Sequence, residues 1–194
     1  MNIYFEQGLK EEALFIENAV FSVYQTTGIL VQEDRSRYLR YNQAVGGYEP
    51  GGLPKMLSLT LTAKDLFNSN SISAEDDYLY GFANQCAWVS VCRLRSKNDR
   101  PVLEVEIDEP MYSQRLEHVA IHELGHIAVR DQKHFREYII TNKTTRHQTN
   151  TGEHCTDKRC VMSQFDDLKF LDEHIDKRYP KYFCLQCQAS IRIS

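Results

Sequence analysis

The sequence lacks the features expected of a membrane protein or a nucleic-acid-binding protein. Its 194 residues contain no apolar run that approaches the roughly 18 residues needed to cross a bilayer. The 27 acidic residues outnumber the 23 basic ones, and the net charge of −4 at pH 7 provides no basic surface for nucleic acid. Residues 1–12 carry acids and lack the basic and then apolar pattern of a signal peptide. These absences predict a cytoplasmic protein.

The chain also lacks internal repeats and low-complexity segments that would divide it. Its 194 residues are enough to bury a core, and 42% hydrophobic with 26% charged residues is typical of a globular protein. In a reducing compartment, its six cysteines are expected to be free thiols or metal-binding thiolates rather than disulfides. We therefore expect a single domain over residues 1–194.

One motif carries recognisable chemistry: His122-Glu123-Leu124-Gly125-His126. Two histidines four positions apart lie on one face of a helix, so both imidazoles can reach a single metal ion. The glutamate beside the first histidine can then accept a proton from a metal-bound water as a general base. Apolar positions at helical spacing over residues 111–128, preceded by Asp108-Glu109-Pro110, predict that the motif lies on a long helix.

A catalytic zinc usually has three protein ligands and leaves its fourth position to water, so a third ligand must lie elsewhere. His118 is disfavoured, because three side chains in line along a helix cannot converge tetrahedrally on one ion. His134 has the same difficulty if the helix continues. The other candidates are His147, Glu137, Glu153 and His154. Of these, His154 has the best context, because a cysteine motif follows it.

Four cysteines stand in two close pairs near the end of the chain: Cys155, Cys160, Cys184 and Cys187. Such a set is typical of a tetrahedral structural zinc. The alternatives are a pair of disulfides, against which a reducing compartment argues, and four unrelated buried thiols, against which the paired spacing argues. Cys86 and Cys92 lie in apolar, strand-like sequence and are interpreted as ordinary small core residues.

Together, these motifs resemble those of the archaemetzincins, a branch of the metzincin clan of zinc metallopeptidases. The family motif is HExxH followed by xxGxxH, then C-x4-C-x-M and a distant CxxC. The matching residues are His122, Glu123, His126, His154, Cys155, Cys160, Met162, Cys184 and Cys187. The resemblance covers roughly residues 55 to 190, and its cysteine and methionine spacing is more specific than HExxH alone.

The resemblance implies two zinc ions. It assigns a catalytic zinc to His122, His126 and His154, a structural zinc to the four cysteines, and the apolar turn beneath the catalytic metal to Met162. It implies hydrolysis of peptide bonds by a zinc-bound water that Glu123 activates, with a peptide or protein substrate added to a cleft-edge strand over residues 87–94. The alternative is a catalytically silent zinc-binding protein of the same fold that acts as a peptide-binding or regulatory module.

The sequence departs from the family pattern after the second histidine. Val129 stands where the family has a turning glycine, and Gln132 stands where it has the third histidine. His154 lies 28 residues beyond His126 instead of six, so about 22 residues are inserted. Apolar residues within 135–139 have helical spacing, which predicts that the helix continues or restarts through residues 127–140. A polar loop would then return the chain to His154.

The rest of the chain alternates helical and strand patterns. We predict a helix between Gly8 and Gly28, strands over residues 28–31, 55–62, 78–82, 87–94 and 102–107, and a short helical turn over 63–67. Arg93 and Arg95 suit an exposed strand edge. His174 and the acidic residues between 166 and 176 are interpreted as a solvated helix face.

With the resemblance, these elements indicate an α+β fold of the zincin/metzincin type. We expect a small mixed twisted sheet, a backing helix, an active-site helix and a small C-terminal subdomain stabilised by zinc. Residues 1–126 would form the N-terminal subdomain, residues 127–153 a helical and loop insert, and residues 154–194 the C-terminal subdomain.

Overall fold

The structure is a computed structural model that describes residues 1–33, 39–42, 47–50, 58–67, 78–83, 86–97, 109–141 and 148–192. In chain order its elements are β1 (Asn2–Phe5), α1 (Lys10–Tyr24), β2 (Leu30–Glu33), β3 (Leu39–Asn42), β4 (Gly47–Pro50), β5 (Ser58–Thr62), β6 (Leu66–Phe67), β7 (Tyr78–Leu79), β8 (Gly81–Ala83), β9 (Ala87–Ser90), α2 (Glu109–Ala128), β10 (Phe135–Thr141), β11 (Gln148–Cys155), α3 (Leu168–Lys177) and α4 (Leu185–Ser190). None of the helices in these described ranges combines the length and the apolar character needed to span a bilayer.

A mixed five-stranded sheet, in the order β2-β1-β5-β9-β8, forms the centre of the molecule. β1 pairs in parallel with β2 and β5, β5 pairs in parallel with β9, and β8 lies antiparallel to β9 at one edge. All five residues of β5 are buried, as expected for a strand inside a parallel sheet with both faces covered. A second sheet has the order β3-β4-β6-β7. The α+β prediction with a mixed sheet is therefore confirmed.

Several predicted boundaries in the first half of the chain are wrong. α1 ends at Tyr24 with Gln25 in the left-handed region, four residues before Gly28, the predicted end. Residues 66–67 form β6 instead of part of a helical turn, and β1 is a strand that no prediction included. The predicted strand over residues 102–107 lies outside the described residues.

The predicted strand over residues 87–94 is also too long. β9 ends at Ser90, and the chain then turns inward, so Arg93 is only 4% exposed. The Arg93 guanidinium donates to both carboxylate oxygens of Asp65, with Nη2 2.6 Å from Oδ2. Arg93 therefore does not mark an exposed strand edge, because it is buried and the half-buried Asp65 carboxylate compensates its charge.

The helix predicted to carry the histidine motif is α2, and it packs against α1, β8 and β9. The Tyr24 hydroxyl donates to the carbonyl oxygen of Ile121 at 2.6 Å, which fixes α1 to the middle of α2. α2 ends at Ala128, because Val129 leaves it to form an antiparallel bridge with Ile191. The backbone N–H of Arg192 donates to the Ala128 carbonyl oxygen at 2.8 Å and satisfies one carbonyl of the last turn.

The segment after α2 is a β-hairpin instead of the predicted helix over residues 127–140. β10 and β11 pair antiparallel, with Arg136 opposite His154 and Ile140 opposite Thr149. The β-branched run Ile139-Ile140-Thr141 favours a strand, and this preference decides the structure once a partner strand is available. A short stretch of apolar residues at helical spacing cannot exclude that outcome.

A buried ion pair joins α2 to α3. Arg115 is 2% exposed, and its Nε and Nη2 donate to the two carboxylate oxygens of Asp172 at 2.7 and 2.6 Å. Its Nη1 donates to the carbonyl oxygens of Leu94 and Ser96. The prediction that His174 and its acidic neighbours form a solvated face is wrong at two positions, because Asp172 is paired and His174 is only 8% exposed.

Replacing Asp172 with asparagine should leave the Arg115 guanidinium buried without its counter-charge. Breaking a fully buried pair costs about 3–5 kcal/mol, and because the Asp172 side chain is 30% exposed we expect a smaller loss, about 2 kcal/mol, in the free energy of unfolding. The neighbouring Glu173→Gln variant is the control, because Glu173 pairs with Lys177 on the surface and should change stability by less than about 0.5 kcal/mol. Urea unfolding measures both variants, and equal losses would contradict the assignment.

Candidate metal centres and active-site cleft

Three histidines from two elements come together beside the last turns of α2. His122 and His126 lie one turn apart on α2, and His154 lies near the end of β11. One ring nitrogen of each lies within 4.8 Å of the other two, and the Nε2 atoms of His122 and His126 are 3.1 Å apart. The structure thus brings together the three histidines that the resemblance assigned to one site.

The outer ring nitrogens fix how two of these imidazoles are oriented. His122 Nδ1 lies 2.7 Å from the carbonyl oxygen of Val161, and His154 Nδ1 lies 3.3 Å from that of Gly152. Because a carbonyl oxygen only accepts, each Nδ1 carries the proton and each Nε2 presents a lone pair. This tautomer is the one that a metal ion bound at Nε2 needs.

The three imidazoles are uncharged at neutral pH. Burial lowers the pKa of His126 to about 3 and that of His154 to about 4, and it lowers the pKa of His122 well below its ordinary value. The neighbouring histidines add to the shift at His122 and His126. Neutral imidazoles are the form that coordinates metal. This donor set therefore fits a zinc ion and leaves one tetrahedral position open among the described residues.

The hairpin explains how His154 reaches the helix from so far along the chain. β10 runs away from the end of α2, and β11 returns antiparallel to it, so His154 stands opposite Arg136 at the base of the hairpin. The predicted route to His154, a continued helix followed by a long polar loop, is therefore replaced by two paired strands. Glu137 and Glu153 are both exposed on this hairpin, and neither belongs to the histidine group.

The other histidines considered as a third ligand lie elsewhere. His118 is fully buried, and its ring contacts those of His174 and Phe165 at centroid distances of 4.9 and 5.7 Å. His134 lies beside the cysteines. His147 lies outside the described residues.

Glu123 lies beside this histidine group in the wall of a cleft. Its side chain is 7% exposed, and burial raises its pKa to about 8. The backbone of Gly81 in β8 lies against it, because a Cβ atom on Gly81 would be 2.5 Å from both Cγ and Oε1 of Glu123. Only glycine leaves room for the carboxylate in this position.

A Gly81→Ala substitution should displace the Glu123 carboxylate without damaging the core. The nearest atoms to the added methyl group are Cγ, Cδ and Oε1 of Glu123, and because this side chain lines the cleft it can rotate into that space. Misplacing a reacting group by about 1 Å can cost roughly 10²-fold in rate, so we expect a loss of that order in kcat/KM for a peptide substrate. Thermal unfolding and zinc content should stay close to wild type. Full turnover in this variant would show that the position of Glu123 is unimportant.

The cleft has a volume of about 540 Å³. Its lining includes residues 78–83 with the edge strand β8, residues 150–154 of β11, and His122, Glu123 and His126. The prediction that residues 87–94 form the cleft edge is therefore wrong: β9 lies inside the sheet, and the edge strand is β8.

Gln132 stands where the family has its third histidine, and in this structure it hydrogen-bonds to the end of α2. Its side-chain amide donates to the Val129 carbonyl oxygen at 3.1 Å and so covers the end of α2. Val129 itself forms the bridge to Ile191, so no turning glycine is needed at that position.

Met162 lies beneath the histidine motif. Its side chain is fully buried, and a Cβ atom on Gly125 would be 2.1 Å from its Sδ. Gly125 is the residue of α2 just before His126, so the sulfur packs against the turn that carries both motif histidines. The backbone of the same segment contacts the site through the Val161 carbonyl oxygen.

The four predicted cysteines form a second cluster, and all four are free thiols and buried. The Sγ atoms of Cys155 and Cys184 are 3.9 Å apart, and those of Cys160 and Cys187 are 3.7 Å apart. Four sulfurs around a zinc ion at about 2.3 Å require separations of about 3.8 Å. Both separations are compatible with two sulfurs bound to one zinc ion, and the cluster contains no disulfide.

The electrostatics of the cluster also favour a cation. A hydrogen bond with Cys160 lowers the pKa of Cys155, whereas hydrogen bonds to Cys155 raise the pKa of Cys160 and Cys187. Several neighbouring thiols cannot all ionise unless a positive charge compensates them. A divalent metal ion would supply that charge.

Sequence reasoning missed one member of this cluster, His134. Its Nε2 lies 3.2 Å from the Cys187 sulfur, and one ligand atom from each of His134, Cys155, Cys184 and Cys187 lies within 4.8 Å of the others. From the sequence, His134 was considered only as a third ligand of the catalytic zinc, beside His122 and His126. Nothing in the spacing indicated that a hairpin would place it beside the cysteines.

Comparison with known proteins supports the fold. No protein-family model matches the sequence, and no curated protein matches it. The crystal structure of archaemetzincin from Archaeoglobus fulgidus, complexed with malonate, superposes with a TM-score of 0.64 at 21% sequence identity, covering 98% of this chain and 100% of that one. Archaemetzincin from Methanopyrus kandleri gives 0.61 at 20% identity, covering 97% and 92%. Over nearly its whole length, this chain therefore has the archaemetzincin fold.

Proposed function

We propose that this protein is a zinc-dependent peptidase. The observation that carries the proposal is the convergence of three uncharged imidazoles with a buried glutamate in one open cleft. His122, His126 and His154 would hold the zinc. A zinc ion with three protein ligands polarises a carbonyl group and lowers the pKa of water to about 7. A purely structural site would need neither an open cleft nor a neighbouring carboxylate.

Within this proposal, Glu123 moves the proton. Burial raises its pKa to about 8, and the positive charge of a bound zinc would lower that pKa again, so that the ionised carboxylate could accept a proton from the attacking water and pass it to the leaving amine. Gly81 and the burial of Glu123 hold the carboxylate in one place. The Val161 carbonyl oxygen keeps the His122 ring oriented through Nδ1. Met162 would be the apolar support beneath the metal.

The substrate would be an extended peptide. Among the described strands, β8 pairs only with β9, and its other edge would add a peptide strand through main-chain hydrogen bonds. Residues 150–154 of β11 line the same cleft, so the hairpin would contact the bound peptide as well. The inserted hairpin thus forms part of the binding site.

We also propose that the cysteine cluster holds a second, structural zinc. The cluster lies where β11, the segment around Met162 and α4 meet, and the short α4 has little core of its own. A small subdomain of this kind commonly needs a metal to stay folded.

A catalytically silent peptide-binding module is the second candidate. The observation in its favour is that residues 150–153 of β11, next to His154, line the cleft and so occupy space close to the histidine group. Against it, the histidine group contributes three ligands among the described residues and so leaves a position for water or substrate.

Hydrolysis of a peptide library separates the two candidates. Zinc-loaded wild-type protein should release new termini detectable by mass spectrometry, and a chelator should stop the release until zinc is restored. The His122→Ala variant, purified identically, should release none, which excludes a contaminating protease. Saturable peptide binding without turnover by zinc-loaded wild-type protein would support the binding module and contradict the peptidase.

A further inference from the structure

His134 is held beside the cysteine cluster by its backbone. It lies in the turn between the end of α2 and the start of β10, where the Phe135 N–H donates to the Gln132 carbonyl oxygen at 2.8 Å. The His134 carbonyl oxygen accepts the N–H of Thr156 at 3.4 Å, next to Cys155. The imidazole is therefore positioned by both strands of the hairpin.

The ring nitrogen of His134 points into the cluster. Its Nε2 is 3.2 Å from the Cys187 sulfur and 3.8 Å from the Cys184 sulfur, and it lies within 4.8 Å of Cys155 as well. Zinc bonds of about 2.3 Å to sulfur and 2.0–2.1 Å to nitrogen in a tetrahedron require nitrogen–sulfur separations of roughly 3.5 Å. The separations of 3.2 Å from His134 Nε2 to the Cys187 sulfur and 3.8 Å to the Cys184 sulfur lie on either side of that value. An imidazole that hydrogen-bonded to one thiolate from outside would be close to that sulfur alone.

The cluster thus offers five possible metal ligands for the four coordination positions of a tetrahedral ion. Cys160 is the fifth: its thiol lies 3.7 Å from the Cys187 sulfur and accepts the N–H of Cys184 at 3.4 Å, but it does not belong to the group of ligand atoms that all lie within 4.8 Å of one another, whereas His134 does. We propose that His134 is a ligand of the C-terminal metal, completing a three-cysteine, one-histidine site with Cys155, Cys184 and Cys187. Cys160 then donates its thiol hydrogen to the Cys187 sulfur. This assignment rests on the proposed second zinc and is independent of peptidase activity.

The assignment gives the ion a position at the base of the inserted hairpin. His134 directly precedes β10, and Cys155 ends β11 opposite Phe135 in the register. An ion bound to both residues joins the two strands where the hairpin leaves the body of the protein. The hairpin thus presents His134, from within residues 127–153, to one metal site and His154, near the end of β11, to the other.

The test uses full-length protein loaded with ¹¹³Cd and labelled with ¹⁵N-histidine. We expect a one-bond coupling between cadmium and Nε2 of His134, assigned by its disappearance in His134→Gln, in addition to couplings from the other metal site. A cadmium resonance typical of four sulfurs, unchanged in His134→Gln, would overturn the assignment. Cadmium bound only at the histidine site would contradict the proposal of a second metal ion. Absence of peptide turnover would contradict the proposed peptidase activity but neither the second metal ion nor the His134 assignment.

A pair of variants provides a second measurement. Zinc affinity of the cysteine site, measured by competition with a chelator, should fall by more than about 100-fold in His134→Gln and by about 10–100-fold at most in Cys160→Ser, since this is the typical cost of losing a hydrogen-bonding neighbour alone. Cys155→Ser is the positive control and should lose the ion. The reverse order, with Cys160→Ser losing more affinity than His134→Gln, would show that Cys160 is the ligand.

Discussion

Replacing Glu123 with glutamine is expected to lower kcat/KM for a cleaved peptide by about 10²–10⁴-fold, the usual contribution of a positioned general base. Glutamine has the shape of glutamate, so it should keep the close contact with Gly81 and the packing of the cleft wall. It cannot accept a proton from water at neutral pH. Because Glu123 is not among the grouped metal ligands, zinc content and thermal stability should remain close to those of the wild type.

Glu153→Gln is the matched control for this variant. Glu153 lines the same cleft, is exposed on β11, and lies outside the histidine group. Its substitution removes a carboxylate from the same cleft and should alter KM at most, leaving kcat nearly unchanged. Steady-state kinetics with a peptide found in the library, together with zinc analysis, measures both variants. Similar losses in the two variants would indicate a general effect of cleft charge instead of a specific proton acceptor.

The parts of the site that depend on local sequence were predictable. Two histidines four apart on a helix lie on one face whatever the rest of the chain does, so His122, Glu123 and His126 could be placed from spacing alone. The same holds for α1, whose buried face repeats at helical period through Ala13, Ile16 and Val20. The strand over residues 58–62 was equally clear from its composition.

What depends on pairing between distant segments was not predictable. Residues 135–141 have apolar positions compatible with helix or strand, and only the partner strand β11 decides between them. β1 and β6 are short and obtain their partners from distant parts of the sequence. His134 reaches the cysteines for the same reason, because the hairpin turns at the end of α2 instead of extending it.

The two candidate metal sites share a strand. His154 and Cys155 are consecutive residues of β11, and consecutive side chains of a strand point to opposite faces. One therefore faces the histidine group while the other faces the cysteine cluster. The N–H of Cys155 also donates to the Met162 carbonyl oxygen at 2.9 Å, which connects the strand to the segment beneath the histidines. An ion at the cysteines would thus fix the position of His154.

Loss of the C-terminal metal is accordingly expected to have the largest effect on stability. Structural zinc contributes roughly 10–16 kcal/mol of binding free energy in small zinc domains, so a Cys187→Ser variant should lose at least about 5 kcal/mol of unfolding free energy by the same reasoning. Cys187 is fully buried in α4 and contacts both His134 and Cys160. Because β11 would no longer be fixed, zinc affinity of the histidine site should fall as well.

Cys86→Ser is the control for that variant. Cys86 is also a fully buried thiol, but it packs in a separate cluster with Leu66 and Trp88. Its substitution should cost only the ordinary penalty for a buried hydroxyl, about 1–3 kcal/mol, and should leave both zinc ions bound. Denaturant unfolding with zinc analysis of each variant makes the comparison. If Cys187→Ser cost no more than Cys86→Ser and kept two zinc ions, the cysteine cluster would be ordinary core, and the position of His154 would depend on the hairpin alone.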